Sequence, residues 1–358
     1  FYTSGTTGKP KGVSLTHRGL LGRLPRAMTV PLEVLGPGEA VLALPVAHIM
    51  GFAAALAFAC AGVPVYSMDR FRPVEVLDAI EHRRASIFIG VPAMYRMLID
   101  AGAEQRDLRC VQVWMSGADA MPSDLARRFQ RMGSSITLPV VGGIGEALFV
   151  EGYGMAELSG AAAGKVLPPY VSRWFAADGL GIPLPGYRFK ILGDDDQPVR
   201  LGQVGELWVK GPGVTTGYWG DADATSATRT PDGWLRTGDV VRRGAFGTFR
   251  FAGRAKDVIK HGGYSVYTVE VQHLLEQHPA VLEAAVVGLP DERTGELVAA
   301  AVHLRAGEVT TADELSAFCH EHLARYKCPE RFAFVEALPR TGSNKVQRQA
   351  LRALFEGG

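Results

Sequence analysis

Tyr2-Thr3-Ser4-Gly5-Thr6-Thr7-Gly8-Lys9-Pro10-Lys11-Gly12 gathers three glycines, four Ser or Thr hydroxyls and two lysines into one short stretch. Those are the groups that phosphate oxygens select. Glycine lets backbone N–H groups close on an anion, hydroxyls add donors, and lysine supplies charge. A Walker loop would place four residues between its glycines and a Ser or Thr after its lysine. Here Gly5 and Gly8 enclose two residues and Pro10 follows Lys9, so that nucleotide-binding pattern is excluded. The same composition also suits an ordinary surface loop, and the rest of the chain has to decide between the two.

With 358 residues, the chain exceeds the usual size of one hydrophobic core, so two or more domains are expected. Apolar residues make up 47% and charged residues 21%, which is the balance of a globular protein with real cores. Lys and Arg number 38 against 37 Asp and Glu, so no global field draws in nucleic acid or an anionic membrane. Any anion must be met locally. Cys60, Cys110, Cys319 and Cys328 show no C-x-x-C pairing, which argues against a disulfide framework and for a reducing cytoplasm. Ala40 to Met68 carries no formal charge, but Pro45, His48, Gly51, Gly62 and Pro64 interrupt it, so a buried strand, loop and helix is expected there rather than a membrane span. The chain starts with Phe1 and enters its Gly-rich loop at once, and on that ground a truncated N-terminus is expected.

Between Val41 and Met132, apolar runs at Val41–Leu44, Val63–Tyr66, Ile87–Ile89 and Val111–Met115 alternate with helical periodicity. That is βαβ rhythm and predicts a mostly parallel sheet. After Pro122, Leu125, Phe129 and Met132 share one helical face. From about Gly181 the pattern turns β-rich, with Tyr187–Leu192, Glu206–Lys210 and Thr248–Phe251 as strands. Beyond Arg254 it reads helix, strand, strand, helix, strand, helix. In that module Thr311 and Glu314 fit a capping box, and Leu315, Phe318, Cys319, Leu323 and Tyr326 form one apolar stripe. The expected class is α/β: a large domain over residues 1–255 with a β-rich part at 181–252, then a small α+β domain over 256–358.

Five further stretches follow in order: Gly152-Tyr153-Gly154-Met155-Ala156-Glu157, Trp234-Leu235-Arg236-Thr237-Gly238-Asp239, Gly253-Arg254-Ala255-Lys256-Asp257, Ile259 to Tyr267 and Pro339 to Val346. Together with the opening loop they resemble the acyl-adenylate-forming, AMP-binding superfamily of acyl-CoA synthetases, peptide-synthetase adenylation domains and beetle luciferases. The resemblance implies that Thr3, Ser4, Gly5, Thr6, Thr7, Gly8, Lys9 and Lys11 meet the phosphates of ATP. It implies that Tyr153 lies against adenine, with Ala118 of Met115-Ser116-Gly117-Ala118-Asp119 flanking the base, and that Glu157 holds magnesium, a hard cation suited to oxygen ligands. Asp239 would accept the ribose hydroxyls, and Arg254 would reach ribose or phosphate. Lys256 falls at the family's hinge, about which the small domain rotates between half-reactions. Lys345 would contact the acid carboxylate and the α-phosphate. His48 would gate the acid, and Gly142, Gly143 and Gly145 would leave room in an acyl pocket.

Gly262-Gly263-Tyr264 separates the branches, because CoA synthetases carry such a stretch where amino-acid-activating domains carry an Arg-Gly pair. Lys260 would then act in thioester formation, with His261, Gly262, Gly263 and Tyr264 lining the approach of CoA. Several positions depart from the family: Ala156 where threonine is usual, Asn344 where glycine is usual, Thr268 at a common proline and Gln272 at a common glutamate. The implied activity is an AMP-forming acyl-CoA synthetase using a carboxylic acid, with a fatty acid favoured, MgATP and CoA. A module loading a carrier-protein thiol and a catalytically inactive nucleotide-binding relative are the alternatives. No nucleic-acid partner and no transmembrane segment are expected, and a homodimer is the assembly considered. The family also has a segment before the phosphate loop that this sequence lacks.

Overall fold

The computed structural model describes residues 1–4, 10–21, 38–138, 142–168, 179–340 and 346–355. The chain divides into two compact units, one of Phe1–Thr237 with Arg242–Arg250, the other of Gly238–Val241 with Phe251–Gly358.

In the first unit β1 (Tyr2–Ser4) and β2 (Pro10–Ser14) form an antiparallel hairpin, followed by helix α1 (His17–Leu21). Next come β3 (Ala40–Leu42), α2 (Ile49–Cys60), β4 (Val65–Ser67), α3 (Pro73–Arg83), β5 (Ile87–Gly90), α4 (Pro92–Asp100), β6 (Val113–Gly117) and α5 (Ser123–Met132). A ribbon of β7 (Ile136–Leu138) and β8 (Gly142–Ile144) leads to β9 (Leu148–Met155), β10 (Gly160–Leu167) and β11 (Ile182–Pro183). The main sheet runs β11-β10-β9-β6-β5-β3-β4. Its pairs from β4 to β9 are parallel, and β10 and β11 add antiparallel strands at one edge. The expected parallel sheet is therefore present, with strand ends a residue or two from those read in the sequence. The uncharged stretch folds as β3, α2 and β4, and no helix among the described residues is long and apolar enough to cross a membrane.

Parallel strands covered on both faces are apolar at every position, which is why the sequence shows continuous runs there. Trp114 points to one face of β6, where Phe88, Tyr95 and Phe129 pack edge-on to it at ring-centroid distances of 5.0 to 6.2 Å, and Phe149 lies tilted against Tyr95 at 5.7 Å. Val113 and Met115 point to the other face, against Phe58 of α2. Helix α5 turns Leu125 and Phe129 into the aromatic side, and Pro122 sits at its N-cap, one place before the first helical residue.

A second sheet runs β12 (Arg188–Leu192), β13 (Val204–Lys210), β15 (Leu235–Arg243), β16 (Phe249–Arg254). The short strand β14 (Gly217–Tyr218), followed by α6 (Ala222–Thr228), returns to pair with β2.

After Arg254 the second unit holds a hairpin that the sequence reading misses, β17 (Ile259–His261) and β18 (Tyr264–Val266). Gly262 and Gly263 join the strands at φ 56° and 83°, the left-handed pair that a two-residue hairpin turn requires. After α7 (Thr268–Leu275) the long strands β19 (Val281–Asp291) and β20 (Gly295–Leu304) pair antiparallel. Then follow α8 (Ala312–His322), β21 (Arg331–Phe334), which lies parallel to β20, and α9 (Arg348–Ala353). The capping box of Thr311 and Glu314 opens α8. That helix ends at His322, so Leu323 and Tyr326 reach the same core from the turn beyond it.

Phe129 is wholly buried, whereas Val166 on β10 is 52% exposed. Phe129→Ala should lower unfolding stability by about 3–5 kcal/mol, the range for emptying an aromatic site in a core. Val166→Ala should stay within about 0.5 kcal/mol. Chemical denaturation of the two variants, compared by their midpoints, reads the difference.

Candidate active site

In the first unit the β1–β2 hairpin is fastened from a distance in sequence. Thr3 pairs with Lys11 across β1 and β2. Strand β14 then pairs with β2, setting Tyr218 opposite Val13 and Gly217 opposite Ser14. The hydroxyl of Thr215 donates to Ser14 O at 2.6 Å, and the Thr215 N–H donates to Glu157 O at 2.8 Å. Lys11 Nζ lies 3.7 Å from Asp221, the N-cap of α6, and 5.4 Å from the centre of the Tyr218 ring. Gly5, Thr6, Thr7, Gly8 and Lys9 lie outside the described residues, and for Ser4 only the backbone is described.

Glu157 follows β9 on the single 3-10 turn Ala156–Leu158 and is 7% exposed. Glu157 is therefore not on a solvated surface turn. The Tyr218 hydroxyl donates to Glu157 Oε1 at 2.9 Å. Burial, reinforced by the Glu157 carboxylate, pushes the Tyr218 phenol well above its ordinary pKa, so it remains a proton-bearing donor at neutral pH. Sequence reasoning did not single out Tyr218 or Thr215. The signal was the run Thr215-Thr216-Gly217-Tyr218-Trp219-Gly220, which repeats the hydroxyl and glycine chemistry of the opening loop. Ala156 is buried beside Val13 and Ile49. A threonine hydroxyl there would need a partner among apolar neighbours or on a ligand.

Tyr153, on β9, sets its ring edge-on to Phe249 at 5.8 Å, and Phe249 in turn meets Phe189 at 5.2 Å. Ala118 leaves the end of β6 in the left-handed region, at φ 67°. Tyr95 holds the strand just before it, donating its hydroxyl to Met115 O at 2.7 Å. His48 is the N-cap of α2, and its Nδ1 accepts the Met50 N–H at 3.3 Å, which leaves the ring proton of a neutral imidazole on Nε2. The loop holding His48 follows β3, the strand from which the sheet order departs in both directions, and crevices at such points are where α/β sheets take ligands. Gly142 and Gly143 lie on β8. A Cβ at Gly143 would stand 2.8 Å from Arg109 O and 2.9 Å from Ser134, so the protein itself fills the space a side chain would take there.

In the second unit Arg254 Nε stands 2.7 Å from Asp239 Oδ1, and the carboxylate is almost fully buried while the guanidinium is 39% exposed. Lys256 is exposed on the 3-10 turn Ala255–Asp257. Lys260 donates its ammonium to Ser265 Oγ at 2.8 Å. The ring of Tyr264, 58% exposed, stacks on Tyr326 at 4.6 Å. These two tyrosines, with His261, Arg293, His320 and Arg325, line a groove of about 730 Å³. Gly262 and Gly263 form the hairpin turn between His261 and Tyr264. A Cβ on either would meet no atom within 4 Å, so what selects glycine there is backbone conformation rather than space. Lys345 lies outside the described residues, and beside it Arg340 and Val346 are bridged.

Two family models match the chain: AMP-binding enzyme over residues 1–219 and AMP-binding enzyme C-terminal domain over residues 270–345. A feruloyl-CoA synthase of Amycolatopsis sp. is 35% identical over 99% of this chain and 69% of its own length. A long-chain-fatty-acid–CoA ligase of Bacillus subtilis is 33% identical over 98% of this chain and 60% of its own length. The chain thus spans 60 to 69% of these curated relatives. The solved amide bond synthetase of Marinactinospora thermotolerans superposes with a TM-score of 0.85 at 29% identity, over 99% of this chain and 68% of that one. With its glycine-rich hairpin, its buried glutamate after β9 and these matches along nearly its whole length, the chain belongs to the AMP-binding enzyme family, among the ATP-dependent CoA ligases.

Proposed function

We propose that this chain carries out both halves of acyl-CoA synthesis: carboxylic acid and ATP give acyl-adenylate and pyrophosphate, then CoA gives acyl-CoA and AMP. The observation that carries the reading is the carboxylate of Glu157 held by Tyr218 against the strand of the phosphate loop. A carboxylate beside a phosphate loop is repulsive unless a cation stands between them. Magnesium suits that position, since it takes one or two carboxylates and completes its shell with substrate phosphates and water. Among the described residues no group of three His, Cys, Asp or Glu offers an alternative cage. Bound with ATP, the ion would neutralise phosphate charge, with Glu157 as its protein ligand.

In the first half the acid's carboxylate oxygen attacks the α-phosphorus and the bond to pyrophosphate breaks. Lys11 and the loop amides would take up phosphate charge, and Lys345 would offset charge at the reacting carboxylate. Asp239 and Arg254 would serve the ribose. In the second half the CoA sulfur attacks the acyl carbon, AMP leaves, and the thiol proton is lost. Lys260 to Tyr264 would line that approach. The groove beside them pairs stacked tyrosines with two arginines and two histidines, chemistry that suits a phosphorylated aromatic ligand. For the acid we favour a fatty acid, because Met50, Val91 and Met94 add apolar, partly buried surface near the ends of β3 and β5. The four free cysteines, three of them buried, suit the reducing cytoplasm. A second copy of the chain as partner would appear in its sedimentation.

The reading is tested on the full-length protein with a panel of fatty and aryl acids, scoring pyrophosphate release and then transfer to CoA, to an amine or to a carrier-protein thiol. Acyl-CoA is expected. Amide formation, the activity named for the solved relative, or exclusive carrier loading would replace it, and nucleotide binding without pyrophosphate release would mark an inactive relative.

Three substitutions bear on the site. Tyr218→Phe should weaken ATP binding about tenfold and leave the KM for the acid unchanged, within the range for a hydrogen bond to a charged group. Asp239→Ala should cost about 1–3 kcal/mol of ATP affinity for every acid alike. Lys256→Pro, which fixes one backbone angle and removes one N–H, should spare adenylate formation and depress thioester formation, while Lys345→Ala should do the reverse when supplied with preformed adenylate. Equal losses in both half-reactions would leave one fixed arrangement as the better account.

A further inference from the structure

One buried ion pair at the carboxyl end of the sheet has no part in the chemistry above. Glu151 on β9 and Lys165 on β10 are direct antiparallel partners, and Lys165 Nζ lies 2.8 Å from Glu151 Oε2 with side chains 5% and 12% exposed. The other oxygen, Oε1, accepts the Met121 N–H at 3.2 Å. Met121 ends the turn that leaves β6 through Gly117 and Ala118.

That turn is held under strain. Ala118 sits at φ 67°, a region that disfavours residues with a Cβ by about 1–2 kcal/mol. A Cβ on Gly117 would stand 3.0 Å from Gly152 O, so strand and turn already touch. Tyr95 fixes one end of the turn through Met115 O, and Glu151 fixes the other. Meanwhile the pair brings no evident gain to the fold. Burial pushes the Glu151 carboxyl up despite Lys165, the mark of desolvation incompletely offset. Buried pairs of this kind can often be replaced by apolar residues without loss of stability.

We propose that Glu151 and Lys165 are positioning residues for the nucleotide base, acting through the Met121 N–H to hold the Gly117–Met121 turn with Ala118 in its left-handed conformation. The proposal rests on the nucleotide reading of Ala118. It separates from a packing role because apolar residues can often replace a buried pair in packing, whereas no apolar side chain can accept the Met121 N–H.

The test uses the full chain and calorimetric binding of ATP and of AMP. The double variant Glu151→Leu/Lys165→Met should stay folded, with a thermal midpoint no more than a few degrees below the wild type, yet bind both nucleotides at least tenfold more weakly, with the KM for ATP rising and those for acid and CoA unchanged. Glu151→Gln keeps an acceptor for Met121 and should stay within about threefold of wild type, so it supplies the comparison if the double variant folds poorly. Wild-type affinity in the double variant, or a tenfold loss in Glu151→Gln equal to that of Glu151→Ala, would overturn the positioning role alone. Failure of the wild type to bind either nucleotide would overturn the nucleotide reading itself, and this proposal with it.

Discussion

The hydrogen bond from Tyr218 to Glu157 joins residues 61 positions apart, and the organisation of the first unit depends on it. The β1–β2 hairpin, which carries Lys11, does not stand alone. Its second strand is given a fixed place by β14, which arrives from far along the chain with Thr215 and Tyr218. The same tyrosine reaches the acidic turn after β9. One short strand thereby joins the hairpin that carries Lys11 to the turn that carries Glu157.

The α/β class was legible because its causes are local. The apolar runs at Ile87–Ile89 and Val111–Met115 fall on β5 and β6, within two residues of their ends, and the spacing of Leu125 and Phe129 marks a helix over them. The hairpin at Ile259–Val266 was not legible, although its two glycines were noticed. They were read for CoA chemistry, and the requirement for positive φ at both positions says as much about the turn. A double glycine can answer to backbone geometry and to a ligand at once, and periodicity cannot separate the two.

The site was legible where chemistry is concentrated in one stretch and hidden where it is assembled from several. Lys11, Glu157, Asp239 and Arg254 each stand out in a short motif, but their partners do not. Tyr218 sits in a Thr- and Gly-rich segment that reads as a turn, and Asp221 looks like any helix cap until Lys11 is found beside it. Gly143 shows the opposite failure: bareness in the sequence suggests room, while Arg109 and Ser134 occupy that room. An absent side chain records a close approach without saying whether ligand or protein makes it.

Relatives named for feruloyl and long-chain fatty acids, and a solved relative named as an amide bond synthetase, share this fold. What they have in common is the fold, which stays the same while the acids and products in their names differ. Selectivity has to reside in parts that can vary without disturbing the Tyr218–Glu157 link. The β17–β18 hairpin is such a part, because its turn needs only two glycines while His261 and Tyr264 beside it face a groove of their own. The loop after β3 is another, since His48 is held there by a cap hydrogen bond rather than by the sheet. Both lie far in sequence from the Tyr218–Glu157 link and can vary without altering it.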